Sequence, residues 1–405
     1  MREASFHSAQ RRVLLATMFC YLFYYTGRQT FGFAIPGIEE ELGLSKTSLG
    51  WASATLLWCY ALGQAVNGNL GDAFGGRRMM SLGAVLSFGL NWVVSFATRL
   101  PGLVIPWGLN GFAQSMGWAP GSRVLSNWFP STERGRVYGL YTFAAGSSSV
   151  LAFAMSTLIL DLELNWRWIF RLPVLLLLFA GIVYYVLVRD RPEELGFTGL
   201  EPEVEGARVE SSRDRYRAAL TNGRFVTASV AIGFQNLARY GLLIWVPVHF
   251  MGSDWRSSDA KWVAVALPVG MALGALSSGY LSDRLFRGNR SKVIQLFLGL
   301  AALSSFAMYG LPRESVYGVP LLFLCGFFAY GPQSAFWALC PDLLGRARAG
   351  TGTGVMNAFA YLFAGFGEPL IGWTIESNGD QTELVFLIVG GACILGALVS
   401  LGIRR

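Results

Sequence analysis

Polar and apolar positions along the chain alternate on a scale of about 20 residues, far longer than the period of a single surface helix or strand. Apolar runs cut by short charged or Pro/Gly-rich breaks predict twelve helices, at 13–35, 49–71, 79–98, 102–126, 136–160, 169–188, 224–247, 261–282, 292–311, 318–341, 351–374 and 384–403. Each is long enough to cross a bilayer, which takes about 20 mostly apolar residues. One polar stretch interrupts the series, since residues 189–223 hold eight acidic and six basic side chains and read as an aqueous linker. The expected organisation is a six-helix half over 1–188, a cytoplasmic linker over 189–223 and a second six-helix half over 224–405. The fold class is an all-α membrane protein.

Composition agrees: 53% of the 405 residues are hydrophobic and 14% charged, against about 25% charged in soluble chains. The first apolar run is longer than a signal-peptide core and no small-residue cleavage site follows it, so a removable leader is not expected. The net charge of +7 is read as a topology signal, because no basic stripe interleaved with aromatics points to nucleic acid. With a cytoplasmic N-terminus, inner segments hold 22 Lys and Arg, outer segments 7, and three arginines lie within helices. The positive-inside rule then places both termini and the linker in the cytoplasm, and short tails with this bias suggest a bacterial inner membrane. Cys20, Cys59, Cys325, Cys340 and Cys393 fall in apolar runs without metal-ligand spacing and read as free thiols. Neither a nucleophile constellation, a metal cluster nor a Walker-type loop is present in the sequence. A catalyst or ATP-driven pump is therefore not expected, and no cofactor or metal is implied.

The halves repeat one another at an offset of 211 residues. Gly68-Asn69-Leu70-Gly71-Asp72 returns as Gly279-Tyr280-Leu281-Ser282-Asp283, Arg28 as Arg239, and Pro130 as Pro341. Two parallel six-helix units are the architecture with which secondary transporters place a site at the bilayer midplane between halves.

Arg28 and Arg239 carry the candidate chemistry. Each lies 15 residues past its expected helix start, roughly 22 Å along the axis, too deep to anchor at that end. A guanidinium at such depth costs roughly 2.5 to 3.5 kcal/mol on insertion scales and is kept where it meets a wet cavity or a partner. Glu368 is the one carboxylate placed well inside a helix, so it cannot neutralise both. The surplus positive charge suits a dianion, and the guanidinium fork matches phosphate oxygens two at a time. Three roles stay open for Glu368, next to Pro369: a proton-coupling carboxylate, a counter-ion to an arginine, or a residue bonded at a kink. The counter-ion role is preferred because of the charge surplus.

The loop Gly68-x-Leu70-x-Asp72-x-x-Gly75-x-Arg77-Arg78, with its degenerate second copy through Asp283 and Arg284, resembles the signature of the major facilitator superfamily. Glycine there lets two helices approach, and an aspartate at a helix end can latch one conformation against basic groups. Further stretches resemble the organophosphate:inorganic phosphate antiporter family, which includes glycerol-3-phosphate and hexose-6-phosphate transporters. They are Tyr24-Tyr25-Thr26-Gly27-Arg28-Gln29-Thr30-Phe31; Asn110-Gly111 through Gln114, then Gly117-Trp118-Ala119-Pro120 and Arg123; Arg189-Asp190-Arg191-Pro192-Glu193-Glu194-Leu195-Gly196; Arg239-Tyr240-Gly241; and Tyr330-Gly331-Pro332.

The resemblance implies an alternating-access carrier of a small, phosphorylated organic anion, exchanged for inorganic phosphate and working as a monomer in the bilayer. It implies substrate contacts from Arg28, Arg239, Gln114, Tyr330, Tyr361, Gln64 and Tyr24, and gating by Gly68, Asp72, Arg77, Arg123, Asp283 and Arg284. Gln64 stands where glycerol-3-phosphate carriers have lysine, Ala145 where they have histidine, and Ile244 and Pro268 where acids are expected, so the head-group pocket is rebuilt. A proton-coupled symporter of an organic carboxylate and a non-transporting sugar-phosphate sensor are the alternatives.

Overall fold

The computed structural model describes residues 2–198, 211–251, 259–284, 286, 289–345 and 348–403. The side-chain surroundings of some helix residues within these ranges, Gly68, Asp72, Asp283 and Arg284 among them, lie outside the description, and so do the latch roles expected of those four.

The described elements are helical, with no strand among them. The first half comprises α1 (Arg2–Tyr24), α2 (Phe31–Leu42), α3 (Lys46–Phe74), α4 (Gly76–Val94), α5 (Leu100–Gln114), α6 (Trp118–Trp128), α7 (Ser131–Asp161) and α8 (Leu172–Leu187). A short helix α9 (Ser212–Thr221) follows in the linker, capped by the Ser211 side chain. The second half comprises α10 (Gly223–Met251), α11 (Ala266–Arg284), α12 (Arg290–Tyr309), α13 (Gly318–Tyr330), α14 (Gln333–Leu344), α15 (Ala349–Ser377) and α16 (Leu384–Ser400). Joined across their interruptions, α1–α2, α5–α6 and α13–α14 each correspond to one expected span, consistent with twelve.

By length and apolar composition alone, four described helices qualify as membrane spans: 140–161, 166–187, 290–309 and 318–344. The apolar α16, at 17 residues, falls short of such a test by length alone.

The interruptions have local causes. Between α13 and α14, Pro332 has no N–H to continue the ladder. In the first span the chain leaves α1 through a 3-10 turn, Tyr25–Gly27, and resumes at Phe31. Arg28 therefore sits outside regular helix, at φ −145° and ψ −25°, where an unbroken helix over 13–35 was expected. No proline marks that break in the sequence.

Packing divides the molecule along its long axis. One apolar cluster runs continuously from Phe31, Ile35 and Ile38 of the first half to Leu242, Trp245 and Ile371 of the second. Another, around Val13, Tyr21, Trp128 and Tyr184, stays within the first half on its N-terminal side. Across the continuous seam the backbones come close. A Cβ on Gly32 would fall 2.2 Å from the Ile244 carbonyl oxygen, and one on Gly50 would fall 2.6 Å from that of Glu368. Such approaches are open only to residues without a side chain.

Candidate substrate site

Arg28 and Arg239 are both 4% exposed, and rings hold them where carboxylates do not. The Arg28 guanidinium carbon lies 4.1 Å from the Tyr25 ring centre and 4.6 Å from that of Tyr60. For Arg239 the rings are Tyr330 at 4.1 Å and Tyr240 at 5.1 Å. Tyr361 joins the two sets: its ring centre is 4.5 Å from that of Tyr60, and its hydroxyl accepts from Tyr240 at 3.2 Å. The Tyr25 phenol also lies within reach of Arg239. Five phenols and two guanidiniums, drawn from both halves, thus form one cage.

The cage is electrostatically incomplete. Among the described residues neither arginine has an ion-pair partner, and Arg28 Nε and Nη1 and Arg239 Nε are buried without any hydrogen bond. Burying an ion carries an effective penalty of several kcal/mol. A desolvated cation over an aromatic face recovers roughly 2 kcal/mol. Much of the penalty is left without compensation inside the protein.

The backbone break that presents Arg28 is held from behind. The Gly27 carbonyl accepts from Asn110 Nδ2 at 2.7 Å and Asn91 Nδ2 at 3.1 Å. Ser87 donates to Asn110 Oδ1 at 2.7 Å and accepts from Gln114 Nε2 at 2.7 Å. A helix interruption leaves carbonyls without intrahelical partners, and this amide cluster supplies the partners here. Gln114, expected to touch substrate, serves that cluster. Tyr24 also turns away, its hydroxyl donating to the Met80 carbonyl, while its neighbour Tyr25 reaches the guanidinium. Gln64 Nε2 is buried without a partner and makes no described bond to either arginine. Of the expected substrate contacts, the structure brings together Arg28, Arg239, Tyr330 and Tyr361. It adds Tyr25, Tyr60 and Tyr240, and it leaves Tyr24, Gln64 and Gln114 outside the cage. Aromatic residues in an apolar helix read as filler; only proximity to a buried charge distinguishes these three.

Comparisons with known proteins fit this arrangement. The sequence profile of the Major Facilitator Superfamily matches residues 17–368. The chain belongs to this superfamily. It is a multi-pass membrane transporter by family and not an enzyme. Its relatives are of the organophosphate:phosphate antiporter kind. A probable hexose phosphate transport protein of Chlamydia trachomatis is 26% identical over 96% of this chain and 89% of its own. A glycerol-3-phosphate transporter of Bacillus subtilis is 25% identical over 99% and 93%, and the membrane sensor protein UhpC of Escherichia coli is 26% identical over 98% and 93%. Among solved structures, a bacterial homolog of the human lysosomal transporter Spinster, inward-facing and unoccupied, has a TM-score of 0.79 at 14% identity over 98% of both chains. A D-xylose-proton symporter has a TM-score of 0.73 at 18% identity over 96% of both. These two share the fold.

On the side opposite the N-terminus, polar clasps join the two halves. Lys46 Nζ lies 2.8 Å from Glu39 and 3.1 Å from Asp380 of the other half. The Thr47 N–H donates to Glu376 at 3.1 Å, its hydroxyl donates to the same carboxylate, and Trp262 donates to Asp161. Thr47 holds the Glu376 carboxyl below the ordinary carboxylate range.

Glu368 belongs to this closed seam. It is fully buried, accepts from Trp245 Nε1 at 3.0 Å and has Ser53 alongside. It lies seven residues beyond Tyr361, roughly 10 Å along α15, and forms no ion pair with Arg28 or Arg239 in this state. Arg77 donates from Nε to the Tyr185 carbonyl at 2.7 Å, and its N–H donates to Asp190 at 2.8 Å. Tyr185 belongs to α8 and Asp190 follows it by a few residues, so Arg77 braces one corner of the first half. A Cβ on Gly75, at φ +85°, would meet that same Asp190 carboxylate. Arg123 is half-buried at the middle of α6.

Proposed function

We propose that the chain carries a small phosphorylated organic anion across the membrane by alternating access, in exchange for inorganic phosphate. The observation that carries this reading is the pair of buried, acid-free guanidiniums, one from each half, with unpartnered nitrogens inside a single tyrosine cage. A phosphate monoester has a charge of about −1.5 to −2 at neutral pH and three oxygens able to engage both forks. Because the arginines come from different halves, binding both draws the halves together around the solute, and the occupied state passes between the two accesses. The phenols donate to the remaining phosphate oxygens or to substrate hydroxyls. The named hexose phosphate and glycerol-3-phosphate relatives support the phosphorylated class. In this reading the functional halves are 1–188 and 224–405, the termini and linker are cytoplasmic, and the unit is a monomer.

Proteoliposomes loaded with phosphate test it. Labelled phosphate should exchange with internal phosphate, and external glycerol-3-phosphate or a hexose phosphate should compete. Uptake that requires a proton gradient and no internal anion would instead support symport of an organic acid. The sensor relative, similar over 98% of this chain, gives a second reading its own readout, namely saturable binding without flux.

A further inference from the structure

A groove of about 790 Å³ opens on the flank of the first half, where α7 and α8 diverge over α1. It is separate from the tyrosine cage. Its walls are apolar and outward-facing, with Leu15 52%, Phe143 47% and Leu187 39% exposed. Arg11 and Arg12 line its mouth, exposed and without a protein partner, and no acidic side chain lines the groove among the described residues. From Arg11 to Leu22, the deepest lining residue of α1, is roughly 16 Å along the axis. That is about half the ~30 Å hydrocarbon thickness, the depth of one leaflet. Apolar walls one leaflet deep beneath two uncompensated guanidiniums match a molecule with a hydrocarbon tail and an anionic head.

We propose that this groove binds one anionic glycerophospholipid from the leaflet on the N-terminal side. Its phosphate sits on Arg11 and Arg12, and an acyl chain lies along Leu15, Phe19, Phe143 and Leu187. A zwitterionic headgroup brings its own cation and offsets neither charge in net terms, whereas a singly anionic one offsets one of the two, so the site discriminates by headgroup where a merely greasy flank would not. The inference does not depend on which solute the cage carries.

Native mass spectrometry of the purified full-length protein with equimolar phosphatidylglycerol and phosphatidylcholine tests it. Phosphatidylglycerol should be retained in preference as a single copy, with retention falling roughly fivefold for each arginine neutralised. Arg11→Gln/Arg12→Gln should abolish the preference, and Ala144→Trp, which fills the groove and keeps both charges, should displace the lipid. Arg213→Gln/Arg217→Gln removes the same charge from the linker and should change nothing. Equal retention of both lipids overturns the proposal. So does a preference that survives loss of both arginines, a lipid that survives Ala144→Trp, or an equal loss in the linker variant.

Discussion

Arg28 and Arg239 occupy equivalent places in the repeat yet reach the cage from different backbones. In the first half the helix breaks at Tyr25–Gly27 and Arg28 lies on irregular chain, whereas α10 runs unbroken from Gly223 to Met251 through Arg239. The surroundings differ to match. Asn91 and Asn110, which donate to the Gly27 carbonyl, and Ser87 and Gln114, which bond to one another behind them, correspond at the 211-residue offset to Ala302, Leu321, Leu298 and Cys325 respectively. An unbroken helix satisfies its own carbonyls, so the second half has apolar packing where the first has amides. The two halves diverged around the backbone and kept the charge. Proline repeats as well, Pro36 as Pro247 in the C-terminal parts of the two spans, so the break at Arg28 was acquired or lost without disturbing its flanks.

The largest expected effect tests whether the two arginines act alike in spite of this. Arg28→Lys and Arg239→Lys each replace a fork by a point charge. Losing one charge-assisted pair, about 1.5 to 3 kcal/mol, predicts a tenfold to hundredfold fall in phosphate exchange with expression unchanged. Near-wild-type exchange in either variant would remove that arginine from the site.

A second test separates the backbones. Asn110→Leu gives the first half its counterpart's residue but leaves the Gly27 carbonyl underserved. It should cost about 1 to 3 kcal/mol, read as a lower Tm in detergent. Ala238→Gly, at the position equivalent to Gly27, should cost about 1 kcal/mol from helix propensity alone. If both variants melt alike, the amide cluster is not what holds the break.

Glu368→Gln probes the seam. The amide still accepts from Trp245 and meets no arginine in this state, so phosphate affinity should change less than threefold by equilibrium binding. A tenfold gain would establish Glu368 as a counter-ion in another state of the cycle.

The smallest effect concerns the clasp at Glu376. The Glu376 carboxyl is held low by Thr47, so its contribution to closure is complete above the ordinary carboxylate range. That contribution is lost as pH falls through the lowered value. Acidification below the ordinary carboxylate range on this side should slightly raise labelling of a cysteine placed at Thr47's neighbour Ser48, while mild acid should not, and Glu376→Gln should abolish that pH dependence. Labelling that rises with pH would contradict it.

Much of this was legible before any coordinates. A buried arginine is conspicuous because an apolar run gives it no solvent, and the repeat made its twin conspicuous too. The cage was half legible. Tyr330 and Tyr361 follow from resemblance, but choosing Tyr25 over Tyr24 requires knowing that the chain leaves the helix there, and no proline announces it. Gln114 was expected at the substrate, since a polar side chain in a membrane helix suggests a wet cavity; here its amide donates to Ser87 within the cluster behind the Gly27 carbonyl. Glu368 was placed at the right depth, but its position on the helix face, toward Trp245 and Ser53, depends on packing between halves.

The bare-backbone approach at Gly50 has a consequence for how the carrier rests. In the proposed alternating-access cycle, two states that interconvert usefully must lie within a few kcal/mol of each other, and every 1.4 kcal/mol between them is a tenfold change in occupancy. Forcing a methyl group into a packed seam typically costs 1 to 3 kcal/mol. One added carbon facing the Glu368 carbonyl would therefore redistribute the resting population by roughly one to two orders of magnitude toward the opposite access, with the cage untouched. The absence of side chains along this line acts as a set point for the conformational equilibrium, tuned separately from affinity.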